Sequence, residues 1–256
     1  MSIIIKYPII FLGAGPGDPE LITLKGRRLL DEADVIVYAG SLVNPALLDG
    51  VRAEVYDSAG LDLDAIMEIM VNGARAGKKV VRLHTGDPAI YGAIREQMQR
   101  LDREKIQYEV VPGVSSALAS AAALKVELTV PEVTQTVIFT RQAGRTPVPE
   151  KESLRNLAAL QASMCIFLSV SMIEKVVAEL IMGGYPEDTP VAVVEKASWP
   201  DQRIVRATLV DVAEKIQASD IRKTAMILVG RALADGDTAA SRLYDAGFSH
   251  EYRDLK

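Results

Sequence analysis

Three segments hold small residues, prolines and a carboxylate at spacings suited to a bound ligand. The first is Gly13-Ala14-Gly15-Pro16-Gly17-Asp18-Pro19, directly after an apolar run. Glycines in that position let a backbone approach a pyrophosphate at a helix N-terminus, as dinucleotide folds do. The residues oppose that chemistry. Asp18 stands where the third glycine of the fingerprint belongs, Pro16 and Pro19 carry no N–H for a phosphate, and Val37-Tyr38-Ala39 offers no carboxylate for a ribose. No Gly-Lys-Ser/Thr follows, so the segment is not a P-loop. A tight turn without a ligand is the plain alternative. The second segment, His84-Thr85-Gly86-Asp87-Pro88-Ala89-Ile90-Tyr91-Gly92, offers one carboxylate beside exposed amides. Asp87 would either pair with a ligand ammonium or cap a helix beginning near Ile90. The third is Pro112-Gly113-Val114-Ser115-Ser116; helix capping explains one of its hydroxyls and does not need both.

Conventional catalytic sets are missing from the chain. His84 and His250 are its only histidines and Cys165 its only cysteine, so a His-rich or zinc-cluster metal site lacks ligands and no internal disulfide can form. Cys165 lies in the apolar run 164–168 and reads as a buried, inert thiol. Glu174 and Glu179 read as solvated helix carboxylates. A site this poor in acids and bases fits a reaction whose substrate supplies the nucleophile while the protein aligns the partners. The balance of 29 basic against 34 acidic residues, net −5, disfavours nucleic acid and anionic lipid as partners. An anionic small molecule would need locally placed cations. Neither a signal-peptide core nor a run of about 18 apolar residues occurs, so the expectation is a soluble, cytoplasmic protein.

The elements that must position these segments follow from periodicity. With 49% hydrophobic and 25% charged residues in 256, the chain can fill one large or two compact α/β cores. Short aliphatic runs at 9–13, 35–38, 54–57, 79–84 and 108–111 read as strands alternating with helices over 23–33, 63–76 and 90–104, the pattern of a mainly parallel sheet. Each of the three segments follows one of those strands, where open α/β sheets bind ligands. After an Ala-rich helix over 115–124 the order changes. Strands are expected at 136–140, 164–168, 190–196, 203–208 and 225–229, with helices at 152–160, 171–182 and 209–218. A hairpin through 198–202 makes the second sheet mixed. The boundary is placed within 115–130, giving domains 1–120 and 121–256, and the polar tail after Gly230 reads as loosely held.

The three segments, together with Thr189-Pro190-Val191-Ala192-Val193-Val194-Glu195-Lys196-Ala197, resemble the S-adenosylmethionine-dependent tetrapyrrole methylases in order and spacing over about residues 7–230. The resemblance implies two α/β domains, an N-terminal one with a mostly parallel sheet and a C-terminal one with a mixed sheet. It also implies a site in the cleft between them, and a homodimer. It places Pro16, Thr85, Gly86, Asp87, Ile90 and Tyr91 along the cofactor, with Ser115 and Ser116 behind it. Leu168, Ala197 and Ala225 would surround the adenine; Leu168 stands where relatives often have Met and keeps an apolar wall. S-adenosylmethionine has no phosphate, which removes the objection raised by the prolines. S-adenosylhomocysteine is the implied product. Residues 38–43 and 140–147 resemble the branch that methylates precorrin-4 at C11 in cobalamin biosynthesis, whereas uroporphyrinogen III methylases carry Tyr-Asp where this chain has Tyr38-Ala39. Tyr38, Ser41, Arg141 and Arg145 are then candidate contacts for the carboxylate-rich tetrapyrrole. Neither a general base nor a protein-bound metal is implied. A methylase acting at another corrin carbon, the diphthine branch, and a non-catalytic S-adenosylmethionine or nucleotide binder remain as alternatives.

Overall fold

A computed structural model describes residues 5–40, 42–234 and 236. Ser41 and most of the polar tail, with His250, lie outside the described residues. The described residues divide into two compact units, one within residues 1–119 with 196–201, the other within residues 120–195 with 202–236.

The first unit is built on five parallel strands: β1 (Ile9–Gly13), β2 (Val35–Tyr38), β3 (Glu54–Asp57), β4 (Val80–His84) and β5 (Tyr108–Val111), in the order β3-β2-β4-β1-β5. β1 and β4 are buried along their whole length, which is why β1 reads as a continuous apolar run rather than an alternating one, whereas β4 buries Arg82 and His84 among its apolar residues. Side chains still alternate between faces. Ile9, Phe11, Val35, Val37 and Val80 pack with α2 (Leu63–Arg75) and with Leu101 of α3 (Ile94–Arg103). Ile10, Leu12, Ile36, Val81 and Leu83 pack with Leu30 of α1 (Leu24–Asp31). Local chemistry sets the helix ends. Thr23 Oγ1 accepts from the Gly26 N–H at 3.0 Å and Asp62 Oδ1 from the Ala65 N–H at 2.9 Å, and Gly77 closes α2 in the left-handed region at φ 73°.

One helix start differs from the expectation. The periodicity begins at Ile90, yet α3 begins at Ile94, because Tyr91 (φ 56°) and Ala93 (φ 50°) are left-handed. The residue before α3 is Ala93, which offers no capping side chain, so Asp87 does not cap this helix.

In the second unit β6 (Val137–Arg141), β7 (Ser163–Phe167), β8 (Pro190–Glu195), β9 (Arg203–Thr208) and β10 (Ala225–Val229) form a mixed sheet in the order β6-β7-β10-β8-β9. Only β6 and β7 run parallel; β8 and β9 form the expected antiparallel hairpin. Its main core joins Met164, Ile166, Val191, Val193, Ile227 and Val229 to α6 (Ile173–Met182) and α7 (Val212–Ser219). The Ala-rich helix is α4 (Ser116–Leu124), and α5 spans only Leu154–Ala158. That leaves α5 shorter than the stretch 152–160, since residues 150–152 form a single 3-10 turn and Ser153 then starts α5 as its N-cap, its Oγ accepting the Asn156 N–H at 3.4 Å. Cys165 is buried, and burial pushes its thiol up to about 12, as an inert core cysteine requires.

Candidate functional site

The strand order places the three segments side by side. β1 lies between β4 and β5, so the turns following Gly13, His84 and Val111 leave the same end of the sheet. The helix after β1 packs on one face and the helix after β4 on the other. Adjacent strands whose connections diverge in this way open a crevice at their carboxyl ends, the usual ligand position of open α/β sheets.

Backbone contacts knit the three turns together. The Gly86 N–H donates to the Gly15 carbonyl at 2.8 Å and the Gly15 N–H to the Gly86 carbonyl at 3.3 Å, while the Ala14 N–H donates to the His84 carbonyl at 2.7 Å. A Cβ on Gly13 would lie 2.6 Å from the Gly113 nitrogen and 2.7 Å from the Gly86 carbonyl oxygen, and one on Gly113 would overlap that same oxygen. Glycine is therefore required at 13 and 113 by close approach of backbone to backbone. Asp87 adds the cross-link. Oδ2 accepts from the Gly113 N–H at 3.0 Å and Oδ1 from the Ala89 N–H at 2.8 Å. The carboxylate thus ties the β4 turn to the β5 turn, a role that neither sequence-based reading had assigned to it.

Around this knot, Pro16 and Gly86 are buried, Thr85 and Ile90 half-buried, and Tyr91 exposed. Ser115 is buried, its Oγ accepting from the Ala117 N–H at 3.3 Å; Ser116 is the first residue of α4. Tyr38 ends β2, and its carbonyl accepts both the N–H and the Oγ–H of Ser58, each at 2.9 Å. Ala197 is buried in the 196–201 turn, which belongs to the first unit although its flanking strands belong to the second. That turn also supplies contacts the sequence reading missed. The Trp199 indole N–H donates to the Pro16 carbonyl at 2.9 Å, and Ser198 Oγ accepts the Asp18 N–H at 2.9 Å. Asn44, also missed, donates to the Gly17 carbonyl at 2.8 Å. The one available signal was composition: Trp199 is the only tryptophan of the chain.

In the second unit the remaining candidates follow the parallel pair. Leu168, directly after β7, is 67% exposed and held at φ 54°, an unusual combination for a leucine. Ala225 opens β10, opposite Glu195. Arg141 ends β6, and its guanidinium donates to the Thr146 carbonyl at 3.2 Å and the Pro147 carbonyl at 2.6 Å. It shapes its own loop, leaving Arg145 exposed within it. Ser169 joins the two strand ends, its Oγ accepting the Gln142 N–H at 2.8 Å and donating to the Phe167 carbonyl at 2.6 Å.

Burial determines the electrostatics beneath the β4 turn. Arg82 and His84 are both buried on this strand. Desolvation lowers Arg82 to about 10, and lowers His84 to about 3 with a smaller push from Arg82. His84 is therefore neutral at physiological pH, its ring 6.0 Å from that of Phe11. Unfolded, it takes up a proton near the ordinary value of 6.5. The unfolded state consequently binds more protons between pH 3 and 6.5, and stability falls as pH drops through that window. Chemical denaturation should show about 2 kcal/mol lost from this residue between pH 7.5 and 5, and a His84→Gln variant should show a correspondingly flatter dependence. Equal slopes for the two proteins would refute the assignment.

The arrangement fits a ligand with cationic groups and no phosphate. Asp87 is half-buried and enters no ion pair among the described residues, and the Pro16 loop is short of N–H donors. S-adenosylmethionine has a sulfonium, an ammonium and no phosphate, so these residues suit it.

Comparison with known proteins agrees with this chemistry. The family model for tetrapyrrole (corrin/porphyrin) methylases matches residues 8–213. A Methanocaldococcus jannaschii protein named cobalt-precorrin-4 C(11)-methyltransferase is 60% identical over 247 residues, covering 96% of this chain and 95% of that one. A Pseudomonas aeruginosa precorrin-4 C(11)-methyltransferase is 51% identical, with 96% and 98% covered. Among solved structures, a cobalt precorrin-4 methyltransferase superposes with TM-score 0.87 at 52% identity, covering 89% of this chain and 96% of that one. Uroporphyrin-III C-methyl transferase from Thermus thermophilus, complexed with S-adenyl homocysteine, gives TM-score 0.77 at 33% identity over 89% and 99%. By the family model over most of its length and by its identity to these relatives, the chain belongs to the tetrapyrrole (corrin/porphyrin) methylases.

Proposed function

We propose that this protein transfers a methyl group from S-adenosylmethionine to C11 of cobalt-precorrin-4, as a cytoplasmic homodimer in cobalamin biosynthesis. The observation that carries the reading is the 60% identity, over nearly the full length of both chains, to a protein named for that reaction. Among the described residues no helix is long and apolar enough to cross a membrane. Pro16, Thr85, Gly86, Asp87, Ile90, Tyr91, Ser115 and Ser116 hold the cofactor in this reading, with Leu168, Ala197 and Ala225 at the adenine. Tyr38, Ser41, Arg141 and Arg145 meet the tetrapyrrole in this reading, Arg141 also holding the loop that carries Arg145.

When bound, the cofactor would supply an activated methyl that an electron-rich ring carbon can attack directly, the S–CH3 bond breaking as the C–CH3 bond forms and S-adenosylhomocysteine leaving. The protein's own task is then positioning. Glycine turns locked by backbone bonds fix one reactant, and aligning two carbons at about 3–3.5 Å removes much of the barrier without an acid or base. Incubation with labelled S-adenosylmethionine and with cobalt-loaded or metal-free precorrin-4, followed by NMR of the product, tests the reading; label at a carbon other than C11 would overturn it. Arg145→Ala should weaken tetrapyrrole binding about tenfold, one lost charge-assisted contact, and leave S-adenosylhomocysteine binding within twofold. Equal loss of both ligands would remove Arg145 from the substrate site.

A further inference from the structure

The Pro16 turn is held from outside itself. The Pro16 carbonyl accepts the Trp199 indole N–H, the Gly17 carbonyl accepts Asn44, and the Asp18 N–H donates to Ser198. The indole also fills the space over Gly17, where any Cβ would overlap its ring. Lys196 lies over this ring, with Nζ 5.8 Å from its centroid, and is ion-paired with Asp201. The turn that presents the indole is itself constrained. Lys196 (φ 49°) and Ser198 (φ 70°) are both left-handed, one on each side of Ala197, a conformation that persists only where its surroundings impose it. Two candidate cofactor residues distant in sequence, Pro16 and Ala197, are thereby fixed relative to one another through the side chains of Trp199 and Ser198.

We propose that Trp199 is a positioning residue for the cofactor: its indole sets the Pro16-Gly17 turn against Ala197, so that ligand binding depends on the ring and its N–H. The inference rests on reading these turns as the S-adenosylmethionine site. Removing the N–H leaves the Pro16 carbonyl without its partner, and removing the fit over Gly17 lets the turn shift. Either change acts on affinity for the cofactor and leaves the displacement step alone once the ligand is seated.

The full chain is tested with S-adenosylhomocysteine by calorimetry, in wild type, Trp199→Phe, Gly17→Ala and the double variant. Trp199→Phe keeps most of the ring and should weaken binding about five- to tenfold, and Gly17→Ala should weaken it at least as much without altering the indole. The double variant should lose much less than the product of the two factors, since both changes disturb one contact. In turnover, KM for S-adenosylmethionine should rise by the same factor in Trp199→Phe with kcat within twofold. Because Trp199 is the only tryptophan, wild-type emission should change on titration with S-adenosylhomocysteine, with the calorimetric midpoint. Binding by Trp199→Phe within twofold of wild type, or fully multiplicative losses in the double variant, would overturn the proposal. Failure of the wild type to bind S-adenosylhomocysteine would instead strike the cofactor reading itself.

Discussion

Gly113→Ala is expected to slow methyl transfer at least about 100-fold and to destabilise the fold by about 3 kcal/mol, the upper end of the usual overpacking cost. The new Cβ meets backbone: it overlaps the Gly86 carbonyl and lies 2.9 Å from Gly13 Cα. No flexible side chain is available to yield, so the β5 turn must move away from the other two. A displacement near 1 Å in a positioning site costs about 100-fold in rate, and this one disturbs every turn of the knot. Gly77→Ala provides the contrast. Gly77 is left-handed at φ 73° but has nothing within 4 Å of its Cβ position, so it should cost about 1 kcal/mol of stability and no activity. Comparing denaturation and turnover of the two variants separates backbone strain from damage to the site. Wild-type turnover in Gly113→Ala would refute the knot.

Asp87→Asn should lower stability by about 3 kcal/mol and weaken S-adenosylhomocysteine binding by more than tenfold. Both carboxylate oxygens accept backbone N–H groups, from Gly113 and Ala89. An amide has one oxygen, so its NH2 must face one of those donors. One charge-assisted bond is lost, and a backbone N–H is left unpaired, each worth about 1–3 kcal/mol. The negative charge that complements a cationic ligand goes as well. Since about 1 kcal/mol shifts the midpoint of a chain of this size by roughly 2–4 °C, thermal melting should fall by about 6–12 °C. An unchanged midpoint with lost binding would mean that Asp87 serves only the ligand, and an unchanged affinity with a lowered midpoint that it serves only the fold.

Both groups act through contacts between segments far apart in the sequence. Asp87 was visible as a carboxylate in a rigid turn, but its partner Gly113 is 26 residues away and no local periodicity connects them. Likewise Trp199 and Pro16 are separated by 183 positions. The start of α3 was misplaced because left-handed tyrosine and alanine at 91 and 93 run against local preference. Arg141 and Arg145 are equivalent in the sequence; the loop geometry distinguishes them, since the Arg141 guanidinium donates to the carbonyls of Thr146 and Pro147 while Arg145 is exposed.

Residue periodicity and turn chemistry are enough to place the strands and most of the helices, to make the first sheet parallel and the second mixed, and to put glycine and proline turns after particular strands. Those features depend on burial periodicity and on local backbone chemistry, which neighbouring residues carry. The tertiary structure alone decided that β1 lies between β4 and β5, that Gly13, Gly86 and Gly113 touch, and that Trp199 secures Pro16. Strand order follows from how whole apolar faces are buried, and contacts between distant segments exist only once that burial has brought them together.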